Sequence, residues 1–190
     1  MNYRAVVLGF VSILLIGCAR FVPPVAPGEP LDPGRGYLFG RFLQSARGNS
    51  LQFGLVITSS RGRDYCIRFT DEKNAVSAVP VLPGNYRINK LLFVDSDDVV
   101  QDTLYLSYLI SNCVFSVEQG NAYYLGDYFG ETSSKKTYHG PKNQWILRGI
   151  CDNFTNTAQE LEYKRPQFKQ VSKQDAVVEL LPAWLQKMCR

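Results

Sequence analysis

The middle of the chain alternates apolar and polar residues with a period of two, which is typical of half-buried β-strands. Tyr65, Ile67 and Phe69, for example, fall on one face of such a strand. The pattern recurs in the segments Tyr37–Gln44, Leu51–Thr58, Tyr65–Thr70, Val79–Leu82, Asn85–Val94, Cys113–Glu118, Ala122–Tyr128 and Gln144–Ile150. Turn residues separate these segments, so the sequence predicts a mainly β fold, an antiparallel β-sandwich of seven to eight strands over residues 37–150.

The residues after 150 have a different pattern. Asp152 is a good N-cap, and Asn153–Lys164 has helical composition until Pro166 stops it. Ala183–Cys189 predicts a final helical turn or two. We therefore expect residues 151–190 to form a helical C-terminal extension, with one or two short helices packed on the sandwich.

The chain begins with a positive residue followed by an apolar run. Arg4 supplies the charge, and residues 5–16 form an apolar run of twelve. This length is typical of the core of a signal peptide and is too short to span a bilayer, which takes about 20 residues. Residues 1–17 are therefore predicted to be a signal peptide.

The apolar run ends in the most specific motif of the sequence, Leu15-Ile16-Gly17-Cys18. It resembles the lipobox of bacterial lipoproteins, in which a small residue lets a peptidase reach the bond before an obligatory cysteine. The resemblance implies cleavage between Gly17 and Cys18 and attachment of diacylglycerol and an acyl chain such as palmitate to Cys18, which anchors the protein to a membrane. Ala19 takes the place of the aspartate that usually retains such proteins in the inner membrane, so we expect the outer membrane.

Residues 18–36 link the lipidated cysteine to the strands. Half of the ten prolines of the chain lie here, at positions 23, 24, 27, 30 and 33. Such a segment favours extended polyproline geometry, and we expect a semi-rigid tether that reaches about 40 Å at roughly 3.1 Å per residue. The alternative is a proline-rich strand along the edge of the domain.

Composition and charge limit the partners of this domain. Hydrophobic residues make up 45% of the chain and aromatic residues 13%, which suffices for a packed core. The formal net charge is +4, and loss of Arg4 with the signal peptide leaves 20 basic against 17 acidic residues, or +3. A nucleic-acid partner requires a concentrated basic face, so we expect none.

Four cysteines remain once Cys18 carries lipid. An even number in an oxidising compartment favours disulfides, and we predict the pairs Cys151–Cys189 and Cys66–Cys113. Free buried thiols are the alternative for the second pair, because the side chain of Cys113 is predicted to point into the core and that of Cys66 away from it.

The sequence contains no motif for catalysis, metal binding or cofactor binding. It has no C-x-x-C pair and no phosphate-binding glycine loop, and the single histidine, His139, lies in a polar loop. The acidic segment Asp95–Asp102 lacks the glycine and terminal glutamate of an EF-hand loop. We therefore expect no metal, no cofactor and no enzymatic activity.

Four aromatic residues near Gly126 form a candidate patch for an envelope protein or a glycan. They are Tyr123, Tyr124, Tyr128 and Phe129. Exposed aromatic patches mark interaction sites. The alternative is that strand alternation turns about half of these side chains into the core.

Two motifs in the same region carry a resemblance to a family. The segments Val81–Ile88, with its Pro83-Gly84-Asn85-Tyr86 turn, and Phe115–Gly126 resemble small bacterial lipoproteins with a transthyretin-like or carboxypeptidase-regulatory-like β-sandwich. The resemblance covers roughly residues 37–165 and implies the fold. Such sandwiches are usually binding or structural modules.

Together these features predict a lipid-anchored periplasmic or surface protein that acts as a non-enzymatic binding or structural module of the cell envelope. One alternative is an envelope assembly factor, similar to a pilotin or a chaperone, that uses an uncovered strand edge. Another is a hydrolase whose carboxylates converge in a cleft.

Overall fold

The computed structural model describes residues 21–44, 52–68, 75–94, 100–105, 114–138 and 140–174. Within these ranges the chain forms eleven β-strands and one α-helix, so the predicted mainly β fold is confirmed. The elements are β1 (Phe21–Val22), β2 (Gly36–Gln44), β3 (Gln52–Ser59), β4 (Asp64–Arg68), β5 (Val76–Val81), β6 (Gly84–Val94), β7 (Val100–Tyr105), β8 (Val114–Val117), β9 (Ala122–Thr137), β10 (Gly140–Cys151), α1 (Phe154–Lys164) and β11 (Val171–Lys173). The predicted signal peptide and the tail from residue 175 lie outside the described residues.

The strands form two mixed sheets. Sheet A has the order β1-β4-β3-β6-β7, with β8 also paired to β6, and sheet B has the order β10-β9-β2-β5, with β11 also paired to β9. Most neighbours are antiparallel, but β1 is parallel to β4, and β2 and β11 are parallel to β9. The predicted antiparallel arrangement therefore holds for most neighbouring strands but not for these three pairs. Parallel neighbours need a long crossover, and between β2 and β9 the chain forms β5 of sheet B and five strands of sheet A.

The main core lies between the two sheets. Aromatic rings meet at its centre, where Phe53 of sheet A lies 4.9 Å from Phe42 and 4.8 Å from Tyr128 of sheet B, between ring centroids. Buried aliphatic side chains of both sheets, such as Leu55 and Leu125, complete the cluster. The alternation found in the sequence thus places one face of each sheet inside, as expected for face-to-face sheets.

A second core covers the opposite face of sheet B. Helix α1 contributes Ala158 and Leu161 to it, and these side chains pack with Phe39 and Tyr124 of sheet B. The helix coincides with the predicted segment Asn153–Lys164 to within one residue and ends directly before Arg165-Pro166. Its single apolar face explains why it lies on the sheet.

The proline-rich segment is packed on the domain, so the prediction that it is a tether of about 40 Å is wrong. Phe21 and Val22 form β1, and Val25 is buried in the second core. The backbone N–H of Val25 donates to the carbonyl of Ala78 at 2.8 Å, and Arg165 Nε donates to the carbonyl of Val25 at 3.0 Å. Burial of apolar residues between the prolines stabilises the packed conformation, whereas an extended spacer would leave them in water. The alternative, a proline-rich strand along the edge of the domain, is closer to the structure, since β1 is an edge strand of sheet A.

Strands β9 and β10 extend well beyond the sandwich. The pairing of β9 with β2 ends at Gly130, whereas its pairing with β10 continues to Thr137 opposite Gly140. The two strands therefore continue as a two-stranded ribbon over residues 131–146, at the end of the sandwich where β2 finishes. The sequence predicted both strands but made each of them too short.

A bulge at Gly126 changes which side chains of β9 face the main core. Between the pairs Phe39–Tyr124 and Arg41–Asp127, β9 holds one residue more than β2. Gly126 has a φ of 118°, which favours glycine. Beyond the bulge, Asp127 faces α1 instead of the main core.

Candidate functional site

An accessible site is formed by two turns at the end of the sandwich where β4 and β6 begin. The first turn, residues 59–63, joins β3 to β4, and the second, residues 82–84, joins β5 to β6. A cleft of about 390 Å³ lies between them and is lined by Arg61, Arg63, Tyr65 and Leu82 among others. A second cleft, of about 270 Å³, shares Ser59, Ser60, Asn85 and Tyr86 with the first and adds Arg87 and Val114. We call the lining of both clefts the arginine face.

Local backbone bonds hold the two turns in place. Gly62, with a φ of 76°, donates its N–H to the carbonyl of Ser59 at 2.8 Å. Ser60 donates its N–H to the carbonyl of Asn85 at 2.9 Å, which joins the first turn to the second. The lining residues therefore sit on a preorganised scaffold.

The arginine face is positively charged. Arg61, Arg63 and Arg87 form no hydrogen bond or ion pair through their guanidinium groups within the described part of the chain, and no carboxylate is among the residues that line the clefts. Two acidic side chains of the described residues close in sequence to the lining are hydrogen-bonded to other groups. Asp64 accepts at 2.6 Å from the hydroxyl of Thr58, which lines the second cleft, and Glu118 accepts from Asn121 at 3.2 Å. Free guanidinium groups are suited to phosphate and carboxylate.

Two tyrosines form the wall of the first cleft. The rings of Tyr65 and Tyr86 meet edge to face at 5.7 Å, and the Tyr86 hydroxyl donates to the carbonyl of Leu82. Burial, together with the neighbouring Tyr65, raises the pKa of Tyr86 to about 12. Tyr86 therefore stays neutral at physiological pH and is unsuited to act as a general base. Its hydroxyl is used in the hydrogen bond to Leu82.

Two apolar side chains protrude beside the arginines. Leu82 is 38% exposed and Val114 is 57% exposed, so each keeps a large part of its surface in water. Leu82 lines the first cleft and Val114 the second. The arginine face thus combines cationic and apolar groups on one surface.

A second polar cluster lies buried between sheet B and α1. Arg41 Nε lies 3.1 Å from Asp127 Oδ2, and Arg41 Nη1 lies 3.1 Å from Glu160 Oε2. The Thr157 hydroxyl accepts a hydrogen bond from Arg41 Nη2 at 2.7 Å and lies 2.9 and 3.0 Å from the two Asp127 oxygens, to one of which it donates. Asn153 adds a further donor to Asp127 at 3.3 Å.

This buried cluster is structural. The Asp127 side chain is fully buried, and burial raises its pKa, while Arg41 and the hydrogen bonds from Thr157, Asn153 and Tyr124 act in the opposite direction. The Asp127 carboxylate is covered by Thr157 and Asn153 at the start of α1 and is not open to a ligand. We therefore assign to the cluster the attachment of α1 to sheet B.

The structure does not assemble the predicted aromatic patch on the surface. Tyr123 is 7% exposed, Tyr124 and Tyr128 are fully buried, and Phe129 is half-buried. Tyr123 and Tyr128 belong to the main core and Tyr124 to the second core. The prediction of a partner surface here is therefore wrong, because strand alternation and the Gly126 bulge direct three of the four rings into the two cores.

Two of the predicted disulfide cysteines lie within the described residues. Cys66 and Cys151 are disulfide-bonded. Cys66 packs with Val56 and Leu92 on the outer face of sheet A, whereas Cys151 ends β10 in sheet B, so the two do not pair with each other. Gly17, Cys18, Cys113 and Cys189 lie outside the described residues.

The strand register favours a different pairing from the one predicted. Val114 pairs with Arg87 on β6, and β3 lies between β6 and the strand of Cys66, so Val114 and Cys66 are three strand spacings apart, or about 14 Å. Disulfide Cα atoms lie within about 7 Å of each other, and one residue adds only about 3.8 Å. With Cys18 lipidated, we expect Cys66–Cys189 and Cys113–Cys151. Peptide mapping without reduction tests this expectation, and a Cys66–Cys113 peptide would contradict it.

The described ranges contain neither a membrane-spanning helix nor a cluster of metal-ligating side chains. No helix there has the length and apolar character needed to cross a membrane. The same residues contain no group of three or more His, Cys, Asp or Glu side chains placed to hold a metal ion.

Comparisons with known proteins add little. No protein-family model matches the chain, and no curated protein matches it. Among solved structures, a leucine-rich repeat protein from Bacteroides thetaiotaomicron is similar at 17% sequence identity with a TM-score of 0.37. The alignment covers 50% of this chain and 12% of that chain. This similarity is too low to indicate a function, so the site is interpreted from the residues of this chain alone.

Proposed function

We propose that this protein is an outer-membrane lipoprotein, anchored through Cys18, whose β domain is a non-enzymatic binding module. The observation that carries the proposal is the Leu15-Ile16-Gly17-Cys18 motif, which ends a signal-peptide-like run three residues before β1 begins at Phe21. A folded domain that starts this close to the cysteine suits a protein held at a membrane by lipid.

The arginine face supports binding as the activity of the domain. Its polar groups are guanidinium groups, hydroxyls and an amide, which recognise anions. A hydrolase would need carboxylates that converge in a cleft, and the lining of these two clefts supplies none. We therefore favour the binding module over the hydrolase.

Replacing Cys18 by serine tests the anchor. We expect wild-type cells to incorporate labelled palmitate into the protein and the Cys18→Ser variant to lose the label and accumulate as unprocessed precursor, because the thiol carries the diacylglyceryl group. The matched control is Cys66→Ser, which removes a cysteine that the proposal does not lipidate. Palmitate labelling of the Cys18→Ser variant at the wild-type level would contradict the proposal.

The β9–β10 ribbon favours an assembly factor as the second candidate function. Among the described strands, residues 131–137 of β9 pair with β10 alone, and a strand edge that no other strand covers can accept a strand from another chain. This role is compatible with a lipid anchor, since the ribbon lies at the opposite end of the sandwich from the arginine face.

A further inference from the structure

The pairing of β1 with β4 fixes the end of the domain at which the chain enters. Phe21 and Val22 pair in parallel with Cys66 and Ile67, so β1 runs in the same direction as β4, and its first residue lies two residues along from Asp64, where β4 begins. The first turn of the arginine face, residues 59–63, directly precedes Asp64. The domain is therefore entered beside the arginine face.

The distance from the anchor to this end is short. Cys18 precedes Phe21 by three residues, and an extended chain spans at most about 3.6 Å per residue, so the two Cα atoms lie within about 11 Å of each other. The proline-rich segment that follows adds no slack, because it is packed on the domain through Val25 and Arg165. If Cys18 carries the lipid, one particular end of the sandwich is kept next to the bilayer.

We propose that the arginine face rests on the membrane surface, where Arg61, Arg63 and Arg87 bind the phosphates of anionic lipid headgroups and Leu82 and Val114 enter the interface. The proposal rests on the lipid anchor of the proposed function and names the ligand of the same site. Cationic and apolar side chains on one surface are the combination that binds anionic bilayers. The β9–β10 ribbon then points away from the membrane.

The contribution of the arginines can be expressed as a change in membrane partitioning. A basic residue close to an anionic bilayer increases partitioning roughly fivefold, so the three arginines together account for a factor on the order of 100. The attraction is screened by salt, with a Debye length of about 8 Å at physiological ionic strength. The predicted binding is therefore specific for anionic lipid and weakens as salt is added.

The experiment measures cosedimentation of the mature chain, residues 18–190 with Cys18→Ser, with vesicles. Because this chain carries no lipid, the result does not depend on whether Cys18 is acylated in cells, and the palmitate experiment tests the anchor separately. We expect binding to phosphatidylcholine vesicles that contain phosphatidylglycerol and no binding to phosphatidylcholine alone. The variant with Arg61, Arg63 and Arg87 all replaced by glutamine is expected to bind on the order of 100-fold more weakly.

A charge-matched variant and an apolar variant complete the design. Replacing Arg148, Lys164 and Lys169 by glutamine removes the same charge elsewhere on the domain and is expected to leave binding within about fivefold of wild type. Leu82→Ser with Val114→Ser is expected to weaken binding while keeping its salt dependence. Equal binding to both vesicle types, or equal losses in the two charge variants, overturns the proposal. Binding of inorganic phosphate without binding of vesicles also overturns it, since the face would then be a site for soluble anions.

Discussion

Replacing Asp127 by alanine is expected to lower the free energy of unfolding by about 3–5 kcal/mol, because the Arg41 guanidinium would be left buried without its main counter-charge. The Asp127 carboxylate is fully buried and lies 3.1 Å from Arg41 Nε. It also takes the hydrogen bond of the buried Thr157 hydroxyl, which would lose its acceptor. Urea unfolding of the mature chain, followed by far-ultraviolet circular dichroism, measures the change.

Glu160 provides the matched control, since its carboxylate contacts the same arginine. Glu160 Oε2 lies 3.1 Å from Arg41 Nη1, but its side chain is partly exposed and also pairs with Lys164. Solvent can therefore replace it, and we expect Glu160→Ala to cost about 0–1 kcal/mol. Equal losses for the two variants would show that burial of Asp127 does not determine the strength of this contact.

Local patterns predicted most of the elements. The start of α1 was marked by Asp152 and its end by Pro166, and both boundaries hold to within a residue. Strands β2, β3 and β6 also lie within about a residue of their predicted ranges, because alternation and turn residues are properties of short segments. Strands β1, β7 and β11 were not predicted, since two are too short for a pattern and β7 includes polar residues of a segment interpreted as an acidic loop.

The features that the sequence did not predict depend on contacts between distant segments of the chain. The lining of the arginine face comes from three stretches of sequence: residues 58–63 with Tyr65, residues 82–87, and Val114. The pairing of β3 and β8 with β6 brings these stretches together. A single arginine pair such as Arg61 and Arg63 gives no signal above that of an ordinary polar turn. The mistaken aromatic patch has a similar origin, because the sequence does not show that α1 covers Tyr124.

The bulge at Gly126 determines which side chains of β9 enter the main core and where the Asp127 carboxylate lies. Without it, alternation would place Tyr123, Leu125 and Asp127 on one face of β9, and a carboxylate would enter the main core. The extra residue reverses the alternation after Gly126, so that Tyr128 enters the main core and Asp127 reaches Arg41 on the opposite face of sheet B. The buried cluster that attaches α1 therefore depends on the backbone at one glycine.

Replacing Gly126 by alanine is expected to lower the free energy of unfolding by about 2–5 kcal/mol, by strain and by a clash together. At a φ of 118° a side chain is strained, and a Cβ would lie 2.7 Å from Ile150 Cγ2 in the main core. Gly120→Ala is the control, since Gly120 has a φ of 79° but open space around a Cβ, and strain alone should cost about 1–2 kcal/mol. Urea unfolding of both variants separates the two effects. If Gly126→Ala cost no more than Gly120→Ala, the close approach to Ile150 would contribute nothing, and the bulge would be held by backbone conformation alone.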